Sequence, residues 1–380
     1  MEIALLHFIE SARPEVNLSA KWPERKRRNL LCLSTAGNSK HHPCVTNYMR
    51  TRVYIFLAAF CFLMISSTAW SQDIASAKRA GDYVSHDGVK IWYRVEGTIT
   101  PDSIPLLMLH GGPGATARPF EETIGPEIAR NRPVVYMDYR GSGRSDRPSD
   151  LSSYSFAILA SDAEAVRQHL GINRWAVFGH SNGGATAITY TLTYPSHVAA
   201  LVLCDPLLSP ADLEMNMIHK VALAPADKYE QARAIYRSNK SMDDRFGQLL
   251  DLMDVKTRNG FQHYNPETSA MLEHIQGDLS KEIGKGLMEP ALIQGLIVNG
   301  FFEFDAYKTA KRLTMPVLLV VGRYDSEISI DNALKFAVTV PDGYVAMLNR
   351  SGHHPYMEET KGTSEAINQF LSVHSGKPLN

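Results

Sequence analysis

Trp175-Ala176-Val177-Phe178-Gly179-His180-Ser181-Asn182-Gly183-Gly184 is the stretch whose reading decides the fold. An apolar run enters Gly-x-Ser-x-Gly and leaves it into the small-residue segment 185–194, the order strand, sharp turn, helix. Residues 174–178 read as a buried strand and 185–194 as a helix packed behind it. The flanking glycines, Gly179 and Gly183, let the chain turn tightly enough to lift the Ser181 hydroxyl above the sheet, where a substrate can reach it. Five residues of this pattern occur by chance in many chains. The strand before and the helix after give it weight as a nucleophile turn.

Outward from this turn, residues 105–109 and 133–137 are short apolar runs, each followed by a glycine-containing turn, as buried strands of a parallel sheet are. Residues 83–85 and 90–95 flank His86-Asp87-Gly88 and predict an antiparallel hairpin. Ile158, Leu159, Ala163, Val166 and Leu170 recur at helical spacing. Further strands are predicted at 201–204, 317–321 and 344–348, with helices at 331–338 and 364–373. Strands alternating with helices behind a hairpin imply an α/β fold, a mostly parallel sheet with flanking helices. Residues 210–312 interrupt the alternation with helical segments at 227–236, 242–253 and 290–298 and no convincing strand. They are expected to form an inserted helical lid over the carboxyl ends of the strands, where open α/β sheets bind ligands. Tyr229, Phe246, Tyr264, Phe301, Phe302 and Tyr307 are its candidates for an apolar pocket, although aromatic residues on helices more often belong to the core.

A serine hydroxyl needs a base to take its proton and a third group to orient that base. The acid chosen is Asp325, just past the predicted strand in Pro316-Val317-Leu318-Leu319-Val320-Val321-Gly322-Arg323-Tyr324, and the base is His353 in Ser351-Gly352-His353-His354-Pro355. Asp205, after the strand ending in Cys204, is the competing acid, and His354 the competing base. The order Ser, acid, His favours Asp325, and the Gly-His-x-Pro arrangement favours His353. Acyl transfer also needs N–H donors for the tetrahedral oxyanion. The N–H of Asn182 is one. The other is expected from Gly112, in His110-Gly111-Gly112-Pro113-Gly114, where glycines permit close approach of the backbone. His110 opens that loop and reads as its organiser rather than as a base.

With these residues assembled, the chain resembles the α/β-hydrolase superfamily and, within it, the proline iminopeptidase-like branch. The resemblance rests on His110 to Gly114, Asp138-Tyr139-Arg140-Gly141-Ser142-Gly143-Arg144-Ser145, the turn at Ser181, Asp325 and Gly352-His353, and spans about residues 83–373. It implies an α/β-hydrolase fold with Ser181, Asp325 and His353 as triad, and a structural Asp138 to Asp146 turn in which Arg140 and Asp146 pin backbone. Two features depart from the peptidases of the branch. They resemble one another in Gly-Gly-Ser-Trp-Gly at the turn, whereas Gly-His-Ser-Asn-Gly here is closer to esterase and lactonase members. They also use lid carboxylates to hold a free amine; Glu214, Asp243, Asp244, Glu303 and Asp305 are available, but acidic residues on helices usually face solvent.

The first 71 residues read differently. Met49-Arg50-Thr51-Arg52, the apolar run 53–65 and a small-residue end at Ala69-Trp70-Ser71 have the layout of a secretory signal peptide. Residues 49–71 are therefore expected to be that signal and 1–48 a non-native upstream extension or disordered segment. Residues 72–209 and 313–380 are then the core, and 210–312 the lid. Export to the periplasm or medium follows; the alternative is a membrane anchor through 53–70, though so short a run rarely spans a bilayer. After cleavage no stable membrane association is expected. Losing residues 1–71 removes nine Lys/Arg and four Glu and takes the formal charge from −1 to −6. Neither value favours nucleic acid. Cys204 is then the remaining cysteine, in an apolar run that reads as core. No residues show metal-ligand spacing, and the chemistry requires no cofactor. The expected activity is hydrolysis of a small-molecule ester, or of a short amide or peptide, through an acyl-enzyme. An aminopeptidase, a lactonase of the acyl-homoserine lactone type and a non-catalytic binding module are the alternatives.

Overall fold

Asp87 and Gly88 both take left-handed backbone, φ 50° and 75°, and close a two-residue turn between β1 (Asp82–His86) and β2 (Val89–Glu96). Two consecutive positive φ values match the twist of a tight hairpin. These strands form the antiparallel edge of an eight-stranded sheet in the order β1-β2-β4-β3-β5-β6-β7-β8, completed by β3 (Leu106–Leu109), β4 (Val134–Met137), β5 (Trp175–His180), β6 (Val198–Cys204), β7 (Val317–Gly322) and β8 (Gly343–Leu348). Every pairing from β4 onward is parallel. The computed structural model describes residues 80–375 apart from Pro113 and 222–225. The expected upstream extension and signal peptide lie outside the described residues.

The continuous apolar runs are strands buried on both faces. Leu106 and Met108, Ala176 and Phe178, Leu318 and Val320 join one core, while their neighbours Leu107 and Leu109, Trp175 and Val177, Leu319 and Val321 join another. Alternation at period two thus divides each run between two layers. One layer is covered by α1 (Arg118–Glu122), α2 (Ile124–Ala129) and α12 (Thr360–His374), through Phe120, Ile128 and Phe370. The other is covered by α3 (Phe156–His169), α4 (Asn182–Thr193) and α11 (Ile330–Thr339), through Val166, Ile188 and Phe336. Cys204 is buried with a free thiol.

Between β6 and β7 the described residues form α5 (Pro210–Val221), α6 (Ala226–Tyr236), α7 (Met242–Leu252), α8 (Val255–Gln262), α9 (Glu267–Ile283) and α10 (Pro290–Val298). Sequence periodicity marked 227–236, 242–253 and 290–298 but not α5, α8 or the 17-residue α9. Met217, Val221, Leu249 and Phe261 give this layer a core of its own.

The turn after β4 is held by a buried charge network. Asp138 pairs with Arg144 at 2.7 Å, Arg144 reaches Glu121 at 2.6 Å, and its guanidinium lies 3.2 Å over the Trp92 ring. Asp138 Oδ1 also accepts the Ala117 N–H at 2.8 Å, fixing the start of α1. Arg140 forms a bidentate pair with Asp162, and Asp146 accepts the Lys90 N–H. These contacts tie the turn to the sheet and to α3.

Candidate active site

Ser181 occupies φ 52°, ψ −125°, a conformation that costs about 1–3 kcal/mol for a residue with a side chain. What holds it there is the close seating of α4. A Cβ on Gly179 would stand 2.4 Å from the Gly183 carbonyl oxygen, and one on Gly183 would stand 2.4 Å from the carbonyl oxygens of Leu109 and His110. The Ser181 N–H is shared between the Cys204 and Asp205 carbonyls at 3.1 Å, and its own carbonyl accepts from Gly184 and Leu207 at 2.8 Å. The hydroxyl is thereby presented at the carboxyl end of β5, at the start of a 12-residue helix.

The loops after β7 and β8 bring Asp325 and His353 to the same end of the sheet. His353 Nδ1 donates to Asp325 Oδ2 at 2.9 Å, and both residues are buried. Asp325 Oδ1 accepts the Glu327 N–H at 2.7 Å, which fixes the carboxylate. Asp205 stands beside Asp325 as a second, fully buried carboxyl. Its backbone is left-handed at φ 39°, and both its oxygens face the Gly322 N–H at 3.1 and 3.2 Å. It touches Asp325 rather than the imidazole, and burial, then the Asp325 charge, push its titration well above the carboxylate range. His354 packs its ring against His180 and His263.

A contact that the sequence did not announce lies on the other nitrogen of His353. Glu327 Oε2 is 3.2 Å from His353 Nε2, while Glu327 Oε1 accepts from Gln262 Nε2 at 2.5 Å. Burial pulls the imidazole toward its neutral form, but the charges of Glu327 and Asp325 outweigh it and push His353 up to about 10. Nothing in the spacing around Glu327 marks it; only the fold turns it toward the base. His180 is the second surprise. Its Nε2–H donates to the His353 carbonyl at 2.7 Å, strapping the Ser181 turn to the loop after β8. Burial and the nearby His353 charge hold it well below the ordinary imidazole value, hence neutral.

Asn182 is the first residue of α4, so its N–H belongs to the first turn, where helix N–H groups lack intrahelical partners and the dipole favours negative charge. Gly112 faces the same cavity with φ 107°, a value that favours glycine. Gly111 runs close to the nucleophile: a Cβ there would sit 2.9 Å from Ser181 Cβ. His110 accepts the Tyr139 N–H on Nε2 at 3.2 Å and donates from Nδ1 to the Gly111 carbonyl at 2.9 Å. It organises the loop in neutral form. Pro113, between the two glycines, lies outside the described residues.

Over Ser181 opens a cavity of about 610 Å³, bounded below by the sheet loops and above by the helices inserted after β6. Leu213, Met217, Phe246, Phe261 and Phe301 give it apolar walls. Of the aromatic candidates, Phe246 and Phe301 line it; Phe302 packs against both, Tyr307 packs on Phe336, and Tyr264 stacks on Tyr324 at the surface. None of the five acidic lid candidates lines it. Glu214 is buried in a pair with Arg245 at 2.6 Å, Asp305 caps a turn and pairs with Lys308, and Asp243 and Asp244 lie in the exposed first turn of α7. The acidic side chain that does line it is Glu327. Among the described residues no group of three His, Cys, Asp or Glu is arranged to hold a metal ion.

Comparison with known proteins agrees with this fold. Residues 104–360 match the family model of the alpha/beta hydrolase fold. The proline iminopeptidase of Lactiplantibacillus plantarum is 32% identical over 303 residues, which cover 76% of this chain and 99% of that protein. Among solved structures, a proline iminopeptidase-related protein from Thermus thermophilus superposes with a TM-score of 0.63 at 21% identity, covering 78% of this chain and 98% of the other. An N-acyl homoserine lactone degrading enzyme does so at 0.56 and 22%, covering 76% and 100%. At these identities the two structures speak for the fold.

Proposed function

Since this chain belongs to the alpha/beta hydrolase family, in its proline iminopeptidase-like branch, and is a hydrolase, we propose that it cleaves small carboxylic esters through an acyl-enzyme on Ser181. The observation that carries this reading is the apolar cavity opening directly on the serine, with the acidic lid residues directed elsewhere. A small uncharged acyl group finds there the surface it needs to leave water, worth about 25 cal/mol per Å² buried.

In this reading Ser181 Oγ attacks the ester carbonyl carbon while neutral His353 Nε2 accepts its proton. Asp325, 2.9 Å from Nδ1, keeps the ring oriented and balances the imidazolium that forms. The N–H groups of Gly112 and Asn182 stabilise the oxyanion; removing one such donor typically costs about 10²–10³ in rate. Collapse of the intermediate breaks the C–O bond, and the leaving alkoxide takes the proton from His353. Water, deprotonated by the same nitrogen, then releases the acid and restores Ser181.

A second reading, removal of an amino-terminal residue from a short peptide, draws on the proline iminopeptidase relatives and on Glu327, a carboxylate that a substrate ammonium would meet. Parallel assays with p-nitrophenyl acetate and proline β-naphthylamide separate the two: faster turnover of the ester supports the first reading, and a clear preference for the amide overturns it. The pattern starting at Met49 supports action outside the cytoplasm. Amino-terminal sequencing of the purified protein tests this; a mature end near Gln72 is expected, and an end at Met1 would overturn it.

A further inference from the structure

The proton-carrying face of His353 is already occupied. The base of an acyl-enzyme mechanism must offer Nε2 to the serine hydroxyl, yet Glu327 Oε2 stands 3.2 Å from that nitrogen. Among the described residues no hydrogen bond joins it to Ser181 Oγ. An imidazolium with a carboxylate on each nitrogen, Asp325 on Nδ1 and Glu327 on Nε2, has no lone pair with which to deprotonate a serine.

The surroundings make this pairing strong. His353 is 2% exposed, so the attraction acts in a region of low dielectric. The other titratable groups around the ring do not counter it: Asp205 lies behind Asp325 in the loop after β6, and His180, His354 and His263 press on the site as neutral rings. Glu327 also has somewhere else to go. Its second oxygen is bound to Gln262 at the end of α8, and its carbonyl accepts from Asn216 of α5 at 2.7 Å. Gln262 in turn accepts the His353 N–H on its own carbonyl at 2.6 Å. The acid loop, the base loop and the inserted helices thus meet at one side chain.

We propose that Glu327 competes with Ser181 for Nε2 of His353, acting as a positioning residue that holds the resting base as an imidazolium–carboxylate pair until the carboxylate turns toward the inserted helices. Release of the pair frees the Nε2 proton to solvent. The lone pair so exposed then accepts the Ser181 proton as the Oγ–C bond forms. The proposal rests on the acyl-enzyme reading but not on any choice of substrate.

Labelling of Ser181 by a fluorophosphonate, measured as a second-order rate constant from pH 5 to 10, reads the state of the base directly. Because the base works only when neutral, the wild-type rate should climb with pH through an alkaline limb. In Glu327→Gln the limb should move at least about one pH unit lower, making labelling about tenfold faster at pH 7 and equal at the alkaline end. Glu327→Asp keeps the charge but withdraws it by one methylene and should give a smaller shift in the same direction, which serves if the glutamine variant does not fold. Coincident limbs in wild type and folded variants would overturn the role of Glu327. No labelling of any of these proteins at any pH would overturn the acyl-enzyme reading itself.

Discussion

Replacing Asp205 by Asn should stabilise the protein, and the gain should grow with pH. Asp205 and Asp325 are two fully or nearly fully buried carboxyls in contact, with exposures of 0% and 7%. Asp325 is committed as an anion to His353 Nδ1, so burial and that neighbouring charge together raise the titration of Asp205. Above pH 3.9 the folded protein therefore holds a proton on Asp205 over a range in which the unfolded chain, with an ordinary carboxyl, has released it. A group raised in this way contributes fully below the unfolded value and loses stability as pH climbs, by about 1.4 kcal/mol per unit. Asparagine has the same shape, offers an N–H where the acid offers O–H, and leaves an oxygen for the Gly322 N–H. It binds no proton. Urea unfolding of both proteins at pH 5, 6 and 7 should show the variant's advantage widening with pH, by at most about 1.4 kcal/mol per unit, until Asp205 itself ionises in the fold. Groups remote from position 205 titrate alike in both proteins and cancel in the difference. Curves whose separation stays constant within about 0.5 kcal/mol would refute the reasoning, because Asp205 would then be ionised beside Asp325.

Three further outcomes follow from the site and its supports. Asp325→Asn should lower kcat by about 10⁴ in ester hydrolysis with KM little changed, since the imidazole loses both orientation and charge balance. His180→Phe keeps a ring but removes the donor to the His353 carbonyl; thermal unfolding should register about 0.5–1.5 kcal/mol, and kcat should fall more than KM rises. Arg144→Met should cost about 3–5 kcal/mol in urea unfolding, because Asp138 and Glu121 stay buried without their cation.

The sheet was legible because its strands are short, apolar and punctuated. Each of 105–109, 133–137, 174–178 and 317–321 ends in a turn, and the structure moves their borders by only one or two residues. The positions of Ser181, Asp325 and His353 were legible for the same reason: each follows a strand that periodicity had already located. The inserted helices were legible only in part: 227–236, 242–253 and 290–298 were marked, whereas α5, α8 and α9 were not. Segment α9 has apolar residues on a partly exposed helix that leans on the core through Thr116 and Gln276, so its burial depends on a partner distant in sequence. Composition likewise cannot tell a solvated lid carboxylate from one such as Glu214, which is buried because Arg245 neutralises it.

Glu327 marks the boundary of what a linear reading reaches. Asp325 and Glu327 are two residues apart in one loop, both acidic, and both end within 3.2 Å of the same imidazole, on opposite nitrogens. Position after a strand identifies the first, since a short side chain at that point can reach a base at the end of the neighbouring strand β8. The second is directed by its surroundings. Asn216 and Gln262 hold its carbonyl and one of its oxygens, and both belong to the helical insertion. A residue whose aim is set by the insertion couples His353 to the insertion. The helices above the sheet therefore reach the loops that carry Asp325 and His353 through this one side chain.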